Sequence, residues 1–412
     1  MKSSGIQNRQ QLLIILVASL GYFVDIYDLI LFNVVKKASL LDLGFAEYDL
    51  KEVEIFLFNC QMGGMLLGGI LWGILGDKKG RLSVLFGSIV MYSLANIANA
   101  YVWDLQSYAT VRFIAGLGLA GELGAGITLI TEIMDKEKRG IGTMIVVTFG
   151  ALGAVFAALV ANKTDWQTSY WVGGVMGMAL LLLRIGAMES GMFAHIKKSG
   201  IQRGAFLSLF TQRTRFVRYM KCIAMGLPVW FVVGALISLS ETYFEKVLHP
   251  GEKIYTGTAV MFCYIGLSAG DFFSGLFSQL FRTRLKVVSG YLIFCLLITG
   301  LYLFTTHGAG STYFYILCFL LGTGTGYWAL FVTIAAEQFG TNIRATVTST
   351  VPNFVRGAVI PITWGFKELA SIPALGVIGS TIVIGMICFS LAIAATLTLP
   401  ETFGKDLNYT EE

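Results

Sequence analysis

Long apolar runs separated by short polar segments recur along the whole chain. Each run is long enough for a helix to cross about 30 Å of hydrocarbon. The runs form two groups of six on either side of a longer polar stretch at 189–218. Their ranges are 12–35, 53–75, 82–101, 107–133, 141–161, 169–188, 219–244, 255–281, 287–306, 312–337, 345–369 and 374–398. This pattern predicts an all-α membrane protein of twelve transmembrane helices, with one six-helix bundle in 1–188, a linker loop at 189–218 and a second bundle in 219–412.

Most of the 30 Lys and Arg residues lie in the loops on one side of the predicted spans, together with both termini. Because positive charge is retained on the cytoplasmic side, the distribution predicts cytoplasmic N- and C-termini. The basic linker 189–218 is expected to lie along the membrane surface as an amphipathic segment, or to be a plainly solvated loop. Arg112, Arg184 and Arg356 fall inside spans, and Arg184 is expected to extend its head group towards the interface.

Composition supports the membrane assignment. The chain is 55% hydrophobic and only 13% charged, with a mean hydropathy of +0.72. Too few charges cover too much apolar surface for a soluble enzyme, a nucleic-acid binder or a disordered scaffold. The first apolar run is too long for a cleaved signal peptide and carries two aspartates, so it is expected to be a retained helix. We therefore expect a multi-pass protein of the cell (inner) membrane.

The two halves of the chain behave as copies of each other. An offset of 205 residues places Gly121 on Gly326, and it also aligns a Glu-x6-Arg pattern in each half. The same offset brings the basic loop 75–81 onto 280–286. Two parallel six-helix halves are a known plan of secondary transporters, which bind their substrate between the halves. The repeat therefore predicts pseudo-symmetric bundles around a central site.

Residues 73–81 read Gly-Ile-Leu-Gly-Asp-Lys-Lys-Gly-Arg. They resemble the signature G-x-L-x-D-[RK]-x-G-R that the major facilitator superfamily places between its second and third helices. The first span resembles the phosphate:proton and metabolite:proton symporter branches, and the ending 400–404 is similar to that of sugar porters. The fourth span also resembles the organic-ion transporters. The resemblance implies twelve helices and transport by alternating access.

A GxGxxG pattern at Gly116, Gly118 and Gly121 matches the dinucleotide fingerprint only in letters. That chemistry needs a preceding strand and a helix N-terminus in water. These glycines lie inside a span, where small residues let helices approach closely. Helix packing is therefore the expected role.

Four charged residues in the first bundle form a candidate proton-coupling cluster. Asp25 and Asp28 share one face of the first helix. Ionising two buried carboxylates this close together has a high free-energy cost, so at least one of them favours the protonated form. Depth along the helices favours an ion pair of Asp28 with Arg112, and a position of Asp25 near Glu122. In proton-coupled sugar porters a first-helix Asp and a fourth-helix Arg form such a pair, so the resemblance implies the same role. A static cluster that locks the two helices together is the alternative.

Candidate substrate-binding residues come mainly from the second half. A guanidinium beside an amide suits a carboxylate, phosphate or sulfate, and Arg356 lies one turn after Asn353. Among organic-ion transporters, a basic residue in this helix goes with anionic substrates. The alternative is that Arg356 only neutralises Asp271. The full set of candidates is Arg356, Asn353, Trp230, Tyr327, Tyr22 and Asp271, with Trp328 as a further aromatic lining residue.

A third set of residues is expected to form a gate at the cytoplasmic edge rather than a substrate site. Ion pairs there would hold the halves together and break when the inside opens. The residues are Gly73, Asp77, Gly80, Arg81, Glu132, Arg139, Glu337 and Arg344, with Lys286 as a second-half counterpart.

These features favour a proton-coupled transporter, most simply a symporter, of a small organic anion or related metabolite. A sugar or inorganic-anion symporter, an efflux antiporter and a transporter-like receptor remain alternatives. No enzyme activity, metal or cofactor is expected, and the proton gradient would supply the energy. The expected partners are a small-molecule substrate, protons and the lipid bilayer, with no nucleic acid, and the expected state is a monomer.

Overall fold

A computed structural model describes residues 2–46, 50–134, 139–189, 206–248, 252–405 and 409–411, and these are almost entirely helical. The first half contains α1 (Lys2–Asp42), α2 (Leu50–Lys79), α3 (Arg81–Asn99), α4 (Leu105–Leu119), α5 (Glu122–Ile133), α6 (Arg139–Ala161) and α7 (Trp166–Glu189). The second half contains α8 (Ser208–Thr211), α9 (Arg213–Phe231), α10 (Glu245–Leu248), α11 (Thr256–Leu280), α12 (Leu285–Thr305), α13 (Ser311–Thr325), α14 (Trp328–Gln338), α15 (Arg344–Gly357), α16 (Val359–Ala370) and α17 (Gly376–Thr398). Two π-helical segments, Val232–Ile237 and Ser240–Phe244, connect α9 to α10.

In the described part of the chain, 11 helical stretches are long and apolar enough to cross a membrane. The predicted span that is missing from this set is 345–369. It is divided at Ala358 into α15, with 14 residues, and α16, with 12 residues. The α15 sequence is rich in Thr and also carries Asn353 and Arg356, which lowers its hydropathy. The all-α membrane class is confirmed, while the twelfth crossing and the cytoplasmic termini stay predictions.

Glycines bring helices of each half into backbone contact. Gly116 of α4 lies directly on the backbone of Gln61 in α2, and Gly322 of α13 lies in the same way on Cys263 of α11. A side chain at either glycine would collide with main-chain atoms. The predicted packing role of the mid-span glycines is therefore confirmed, and close approach of this kind is typical of membrane helices.

Both halves interrupt the same span at the same place. The fourth span breaks between α4 and α5 at Ala120 and Gly121, and the tenth breaks between α13 and α14 at Gly326 and Tyr327. The offset in the sequence had aligned Gly121 with Gly326. Interrupted helices at membrane depth leave backbone groups that need partners from neighbouring elements.

The two halves meet along α2 with α15 and along α6 with α11. Gly69 packs against the Asn353 side chain, and Gly73 packs against the backbone of Thr346. The division into two bundles and a linker stays a prediction, and residues 190–205 of that linker lie outside the described ranges. The end of the molecule that carries residues 409–411, predicted to be cytoplasmic, is called the inner end below, and the opposite end is called the outer end.

Candidate functional site

The centre of the molecule holds an ion pair between the two halves. Arg356 Nη2 on α15 lies 3.8 Å from Asp25 Oδ2 on α1. Both side chains are buried, Arg356 at 1% and Asp25 at 0% exposure. The separation is that of an ion pair without a close hydrogen bond. Arg356 had been expected to neutralise Asp271 or bind substrate, and Asp25 had been expected beside Glu122. The counter-charge of Arg356 is therefore Asp25 and not Asp271, which corrects the expected pairing with Asp271.

Two indole rings flank the Arg356 guanidinium. Its central carbon lies 5.9 Å from the Trp230 ring centroid and 5.8 Å from that of Trp328. A guanidinium is attracted to the electron-rich face of an aromatic ring, and Trp is the best partner. Trp328 Nε1 donates a hydrogen bond of 3.1 Å to the Tyr22 hydroxyl, which brings a further predicted residue to the site. Arg356 is thus held in an aromatic pocket built from α1, α9 and α14.

Asn353 fixes one side of the Arg356 guanidinium. Its amide Nδ2 donates to the carbonyl oxygens of Ser349, at 2.7 Å, and of Ala120, at 2.8 Å. Ala120 lies in the break between α4 and α5, where its carbonyl group needs an outside partner. With the amide nitrogen committed, Asn353 Oδ1 accepts a 3.3 Å hydrogen bond from Arg356 Nη1. The predicted pairing of Asn353 with Arg356 is present.

Asp271 and Tyr327 are directed elsewhere. Asp271 Oδ1 accepts a 2.8 Å hydrogen bond from the backbone N–H of Ala329, in the first turn of α14. A carboxylate there is stabilised by the positive end of the helix dipole. The Tyr327 hydroxyl donates to the Met225 carbonyl at 3.0 Å. Asp271 of α11 therefore holds the start of α14, and Tyr327, which lies in the α13–α14 break, ties that break to α9.

The expected Asp28–Arg112 ion pair is not formed. Arg112 Nη2 instead donates to Gln61 Oε1 on α2. The Arg112 guanidinium lies 5.0 Å from the Phe32 ring centroid and 5.7 Å from that of Tyr170. The expected pair was based on residue depth along α1 and α4 alone. Gln61 of the neighbouring α2 forms the hydrogen bond with Arg112 instead.

Glu122 forms a buried ion pair with Arg184. Arg184 Nη1 donates to Glu122 Oε2 at 3.0 Å, and Nη2 contacts Glu122 Oε1. Arg184 is only 3% exposed. The expectation that Arg184 extends to the interface is therefore wrong, because Glu122 at the start of α5 provides its counter-charge inside the first bundle. Glu122 thus has its counter-charge in Arg184, and the expected position of Asp25 near Glu122 agrees with the electrostatic interaction between these two carboxyl groups.

Neutralising one partner of this ion pair should destabilise the protein strongly. We expect Glu122→Gln to lower the free energy of unfolding by about 3–5 kcal/mol, because it leaves Arg184 charged and uncompensated in a buried position. Thermal unfolding of the purified protein measures this loss. The double variant Glu122→Gln/Arg184→Met should recover most of it. If Glu122→Gln unfolds at the temperature of the unaltered protein, the ion pair contributes no net stability.

At the inner end, the first half caps a helix of the second half. Asp77, at the end of α2, accepts a 2.8 Å hydrogen bond from the Thr346 backbone N–H and a second bond from its hydroxyl group, at 2.5 Å. Thr346 lies in the first turn of α15, so the carboxylate also faces the positive end of that helix. Gly80 makes the turn into α3 with φ 94°, a conformation that favours glycine. These contacts form what we call the inner latch, Asp77 with Thr346.

The other gate residues at the inner end divide into described and undescribed ones. Glu337 pairs with Arg284, whose Nε and Nη2 donate at 2.6 and 2.7 Å. Lys286 is exposed, so Arg284 rather than Lys286 is the basic partner from this loop. Arg344 Nε donates to the Ala336 carbonyl at 3.2 Å. The side chains of Arg81, Glu132 and Arg139 lie outside the described part of the structure.

A matching contact at the outer end was not predicted. Lys36 Nζ lies 2.9 Å from Glu54 Oε2 and donates to the Ser238 carbonyl at 2.8 Å. Glu54 Oε2 also accepts a 2.9 Å bond from the Thr242 hydroxyl. Ser238 lies between the two π-helical segments. The first span was predicted to end at residue 35, whereas α1 continues to Asp42, which places Lys36 inside the fold. We call this set the outer latch, Lys36 and Glu54 with Ser238 and Thr242.

Loss of each latch should open a different end of the molecule. Asp77→Ala should widen the distance between spin labels at Lys78 and Lys286 on the inner end, because the inner latch is lost. Glu54→Gln should instead widen the distance between labels at Lys163 and Lys253 on the outer end. Pulsed electron spin resonance on the purified protein measures both distances, and each variant is the control for the other. Widening at the same end in both variants would contradict separate latches.

Comparison with known proteins agrees with this architecture. The sequence profile of the Major Facilitator Superfamily matches residues 18–363. A putative niacin/nicotinamide transporter NiaP of Bacillus subtilis is 25% identical over 414 residues, covering 96% of each chain. The 3-(3-hydroxy-phenyl)propionate transporter of Escherichia coli is 27% identical over 72% of each chain. A gentisate transporter of Corynebacterium glutamicum is 22% identical over 93% of this chain and 88% of its own length.

A solved structure gives the same fold. The proton:xylose symporter XylE bound to 6-bromo-6-deoxy-D-glucose superposes with a TM-score of 0.76 at 14% identity, covering 98% of each chain. Profile, relatives and fold agree over nearly the full length, and the described residues place a buried ion pair between two halves that are joined at both ends. The chain is a member of the Major Facilitator Superfamily, a multi-pass membrane transporter and not an enzyme.

Proposed function

We propose that the protein transports a small planar organic acid together with a proton, as a symporter of the cell membrane. The observation that carries the proposal is the Arg356 guanidinium, which lies near the indole rings of Trp230 and Trp328 and is paired with Asp25 from the other half. The site offers one fixed positive charge, two flat apolar surfaces and an acid beside them.

The substrate class follows from this set of groups. A guanidinium binds a carboxylate through two parallel hydrogen bonds that are strengthened by the opposite charges, whereas the hydroxyl groups of a sugar are neutral acceptors. Flat indole faces favour a planar ring that packs against them with its apolar faces. Three of the relatives are named for niacin/nicotinamide, 3-(3-hydroxyphenyl)propionate and gentisate, and apart from nicotinamide these compounds are aromatic carboxylic acids. An aromatic monocarboxylate therefore fits the site best.

The coupling step uses the ion pair between the halves. A substrate carboxylate that binds Arg356 takes the place of Asp25, and Asp25 then lies buried without a counter-charge. A carboxylate in that position costs several kcal/mol if it stays ionised, so it takes up a proton. Release of the substrate restores the Asp25–Arg356 pair and expels the proton. Asp28 and Arg112, deeper in the first bundle, are proposed to assist proton entry.

Alternating access follows from the two latches. The inner latch and the outer latch each join residues of the first half to residues of the second. Breaking one set while the other stays closed would open the central site to one side at a time, with the predicted six-helix bundles rocking about it. Glu122 and Arg184 pair within the first half, so we assign them to the stability of that bundle rather than to coupling.

Uptake by proteoliposomes tests the proposal. Purified protein is reconstituted and offered nicotinate, 3-(3-hydroxyphenyl)propionate and gentisate, with nicotinamide and xylose as neutral comparators. Each compound is measured with and without a pH gradient that is alkaline inside. We expect at least one aromatic acid to accumulate above its equilibrium level only when the gradient is present.

Two results would contradict the proposal. Accumulation of xylose but none of the acids would identify a sugar symporter, the function of the structural neighbour XylE. Equal uptake of an acid with and without the pH gradient would remove the proton from the mechanism. Liposomes without protein give the background that must be subtracted, because the protonated form of an aromatic acid crosses lipid by itself and is trapped as its anion in a lumen that is alkaline inside.

A further inference from the structure

A groove of about 920 Å³ lies on the surface of the second half, and none of the residues around Arg356 lines it. It runs between the last turns of α11 and the first half of α12, at the inner end. Its walls include Phe277, Phe281 and Phe294. Phe281 is 67% and Phe277 37% exposed, although both are large apolar side chains. The groove is therefore open towards the lipid and apolar along its length.

The floor of the groove is open because one of its residues has no side chain. Gly290 of α12 lines the groove, and an atom added at its Cβ position would meet nothing within 4 Å. Tyr291 beside it is fixed, because its hydroxyl donates to the Gly270 carbonyl at 3.0 Å. The packing of α11 against α12 therefore forms the groove and fixes one of its walls.

Two basic residues lie at the mouth of the groove. Arg282 and Lys286 both line it and are both exposed. Within the described part of the chain, neither forms an ion pair. Arg284 between them is different, since it is buried in its pair with Glu337. The mouth therefore presents two positive charges to whatever occupies the groove.

The one acidic residue of the groove is already engaged. Glu401 accepts hydrogen bonds from the Thr283 hydroxyl at 2.6 Å and from the backbone N–H groups of Arg284 and Leu285 at 3.0 and 3.2 Å. Burial alone would raise the pKa of Glu401, but these hydrogen bonds hold it below its usual value. Its charge faces the start of α12, where the helix dipole is positive.

The backbone of Arg282 is unusual. Its φ is 51°, and it is the one non-glycine residue with positive φ in the described ranges. It follows the end of α11, a position where glycine is common because L side chains crowd the adjacent carbonyl. An arginine at this position carries a conformational cost, which indicates that its side chain has a role.

We propose that the groove binds an anionic phospholipid of the inner leaflet. The phosphate lies between Arg282 and Lys286, and an acyl chain lies on Gly290 against the phenylalanine walls. Basic pockets between transmembrane helices on the cytoplasmic side suit anionic lipid head groups. A free anion would leave the apolar length of the groove uncovered, and a neutral lipid would leave the two charges unmatched. This proposal is independent of the transported substrate.

Lipid binding to the purified full-length protein tests it. Native mass spectrometry with phosphatidylglycerol, phosphatidylcholine or inorganic phosphate reports bound ligand directly. We expect phosphatidylglycerol to bind in preference to the other two. Arg282→Gly/Lys286→Gln should weaken this binding by about fivefold for each charge removed, on the order of 25-fold in all. Glycine is compatible with the φ of Arg282, so the variant should fold at least as well as the unaltered chain.

Two matched controls separate the groove from general effects. Gly290→Leu should fill the groove and abolish the preference, whereas Gly300→Leu, on the same helix and also with open space around it, should keep it. Lys78→Gln/Lys79→Gln removes two exposed charges elsewhere on the inner end and should also keep it. Equal binding of the two lipids, equal loss in both glycine variants, or displacement of the lipid by inorganic phosphate would each overturn the proposal.

Discussion

Replacing Arg356 with lysine should abolish saturable uptake of the transported acid while the protein stays folded. Lysine keeps the positive charge opposite Asp25, so the buried carboxylate is not left unpaired. It loses the planar fork that binds a carboxylate through two hydrogen bonds, and it interacts less favourably with the indole rings of Trp230 and Trp328. Loss of a buried, charge-assisted contact of this kind costs about 2–5 kcal/mol, which is roughly 30-fold or more in affinity. Uptake by proteoliposomes measures it.

Substrate pairs make this test specific. The unaltered protein should prefer an aromatic acid over its amide, for example nicotinate over nicotinamide, because only the acid offers a carboxylate to Arg356. Arg356→Lys should remove that preference. A conservative variant of the stacking partner, Trp230→Phe, should weaken uptake but retain the preference for the acid. If Arg356→Lys transports the acid normally, Arg356 does not bind the carboxylate.

Replacing Asp25 with asparagine should separate transport from the proton gradient. Asparagine keeps the shape of the side chain but cannot exchange a proton, so accumulation driven by a pH gradient should be lost. Exchange of internal for external substrate needs no net proton movement and should persist. In the empty protein Arg356 would then lack its counter-charge, and we expect tighter substrate binding with slower net uptake. Counterflow and gradient-driven uptake, measured on the same liposomes, separate the two effects.

Two other buried aspartates serve as comparators. Asp271→Asn should keep coupled uptake, because an amide oxygen can also accept the hydrogen bond from the Ala329 backbone. Asp28→Asn tests the second acid of α1. If Asp28→Asn uncouples transport and Asp25→Asn does not, the proton is carried by Asp28 and the exchange on Arg356 that we propose is wrong. If neither variant changes the dependence on the pH gradient, α1 does not carry the coupling proton.

Much of the fold could be predicted because a membrane-spanning helix needs an apolar run of defined length. Apolar runs of the length needed to cross hydrocarbon located the spans, and the internal offset aligned the breaks at Gly121 and Gly326. The eleventh span was predicted at 345–369, but it is missing from the 11 long apolar helices because it is divided at Ala358 and because α15 is polar. Thr346, Asn353 and Arg356 of α15 contact the first half instead of lipid. The outer latch was missed for a related reason. Lys36 looks like a loop residue in the sequence, and only the extension of α1 to Asp42 shows that it is buried.

The sequence selected several residues that the structure brings together, but it predicted few of the contacts between them. Asp25, Arg356, Asn353, Trp230 and Tyr22 were all selected because charged or polar groups and mid-span aromatics are costly or uncommon at membrane depth. Which of them meet depends on helix tilt and on side chains of a third helix, and neither can be obtained from residue spacing. Gln61 illustrates this, because a neutral amide gives no signal in the sequence yet takes the partner position on Arg112.

The ion pair between Asp25 and Arg356 has a consequence for the net charge of each state of the transporter. Under the proposed symport, the empty site holds one negative and one positive group, and its sum is zero. The site loaded with a carboxylate and a proton has the same sum. A site with only the acid or only the proton bound would carry one uncompensated charge through the middle of the bilayer, at a cost of about 2.5–3.5 kcal/mol. The transporter would therefore cycle readily when empty or doubly loaded, and transport should be electroneutral, with little leakage of either partner alone.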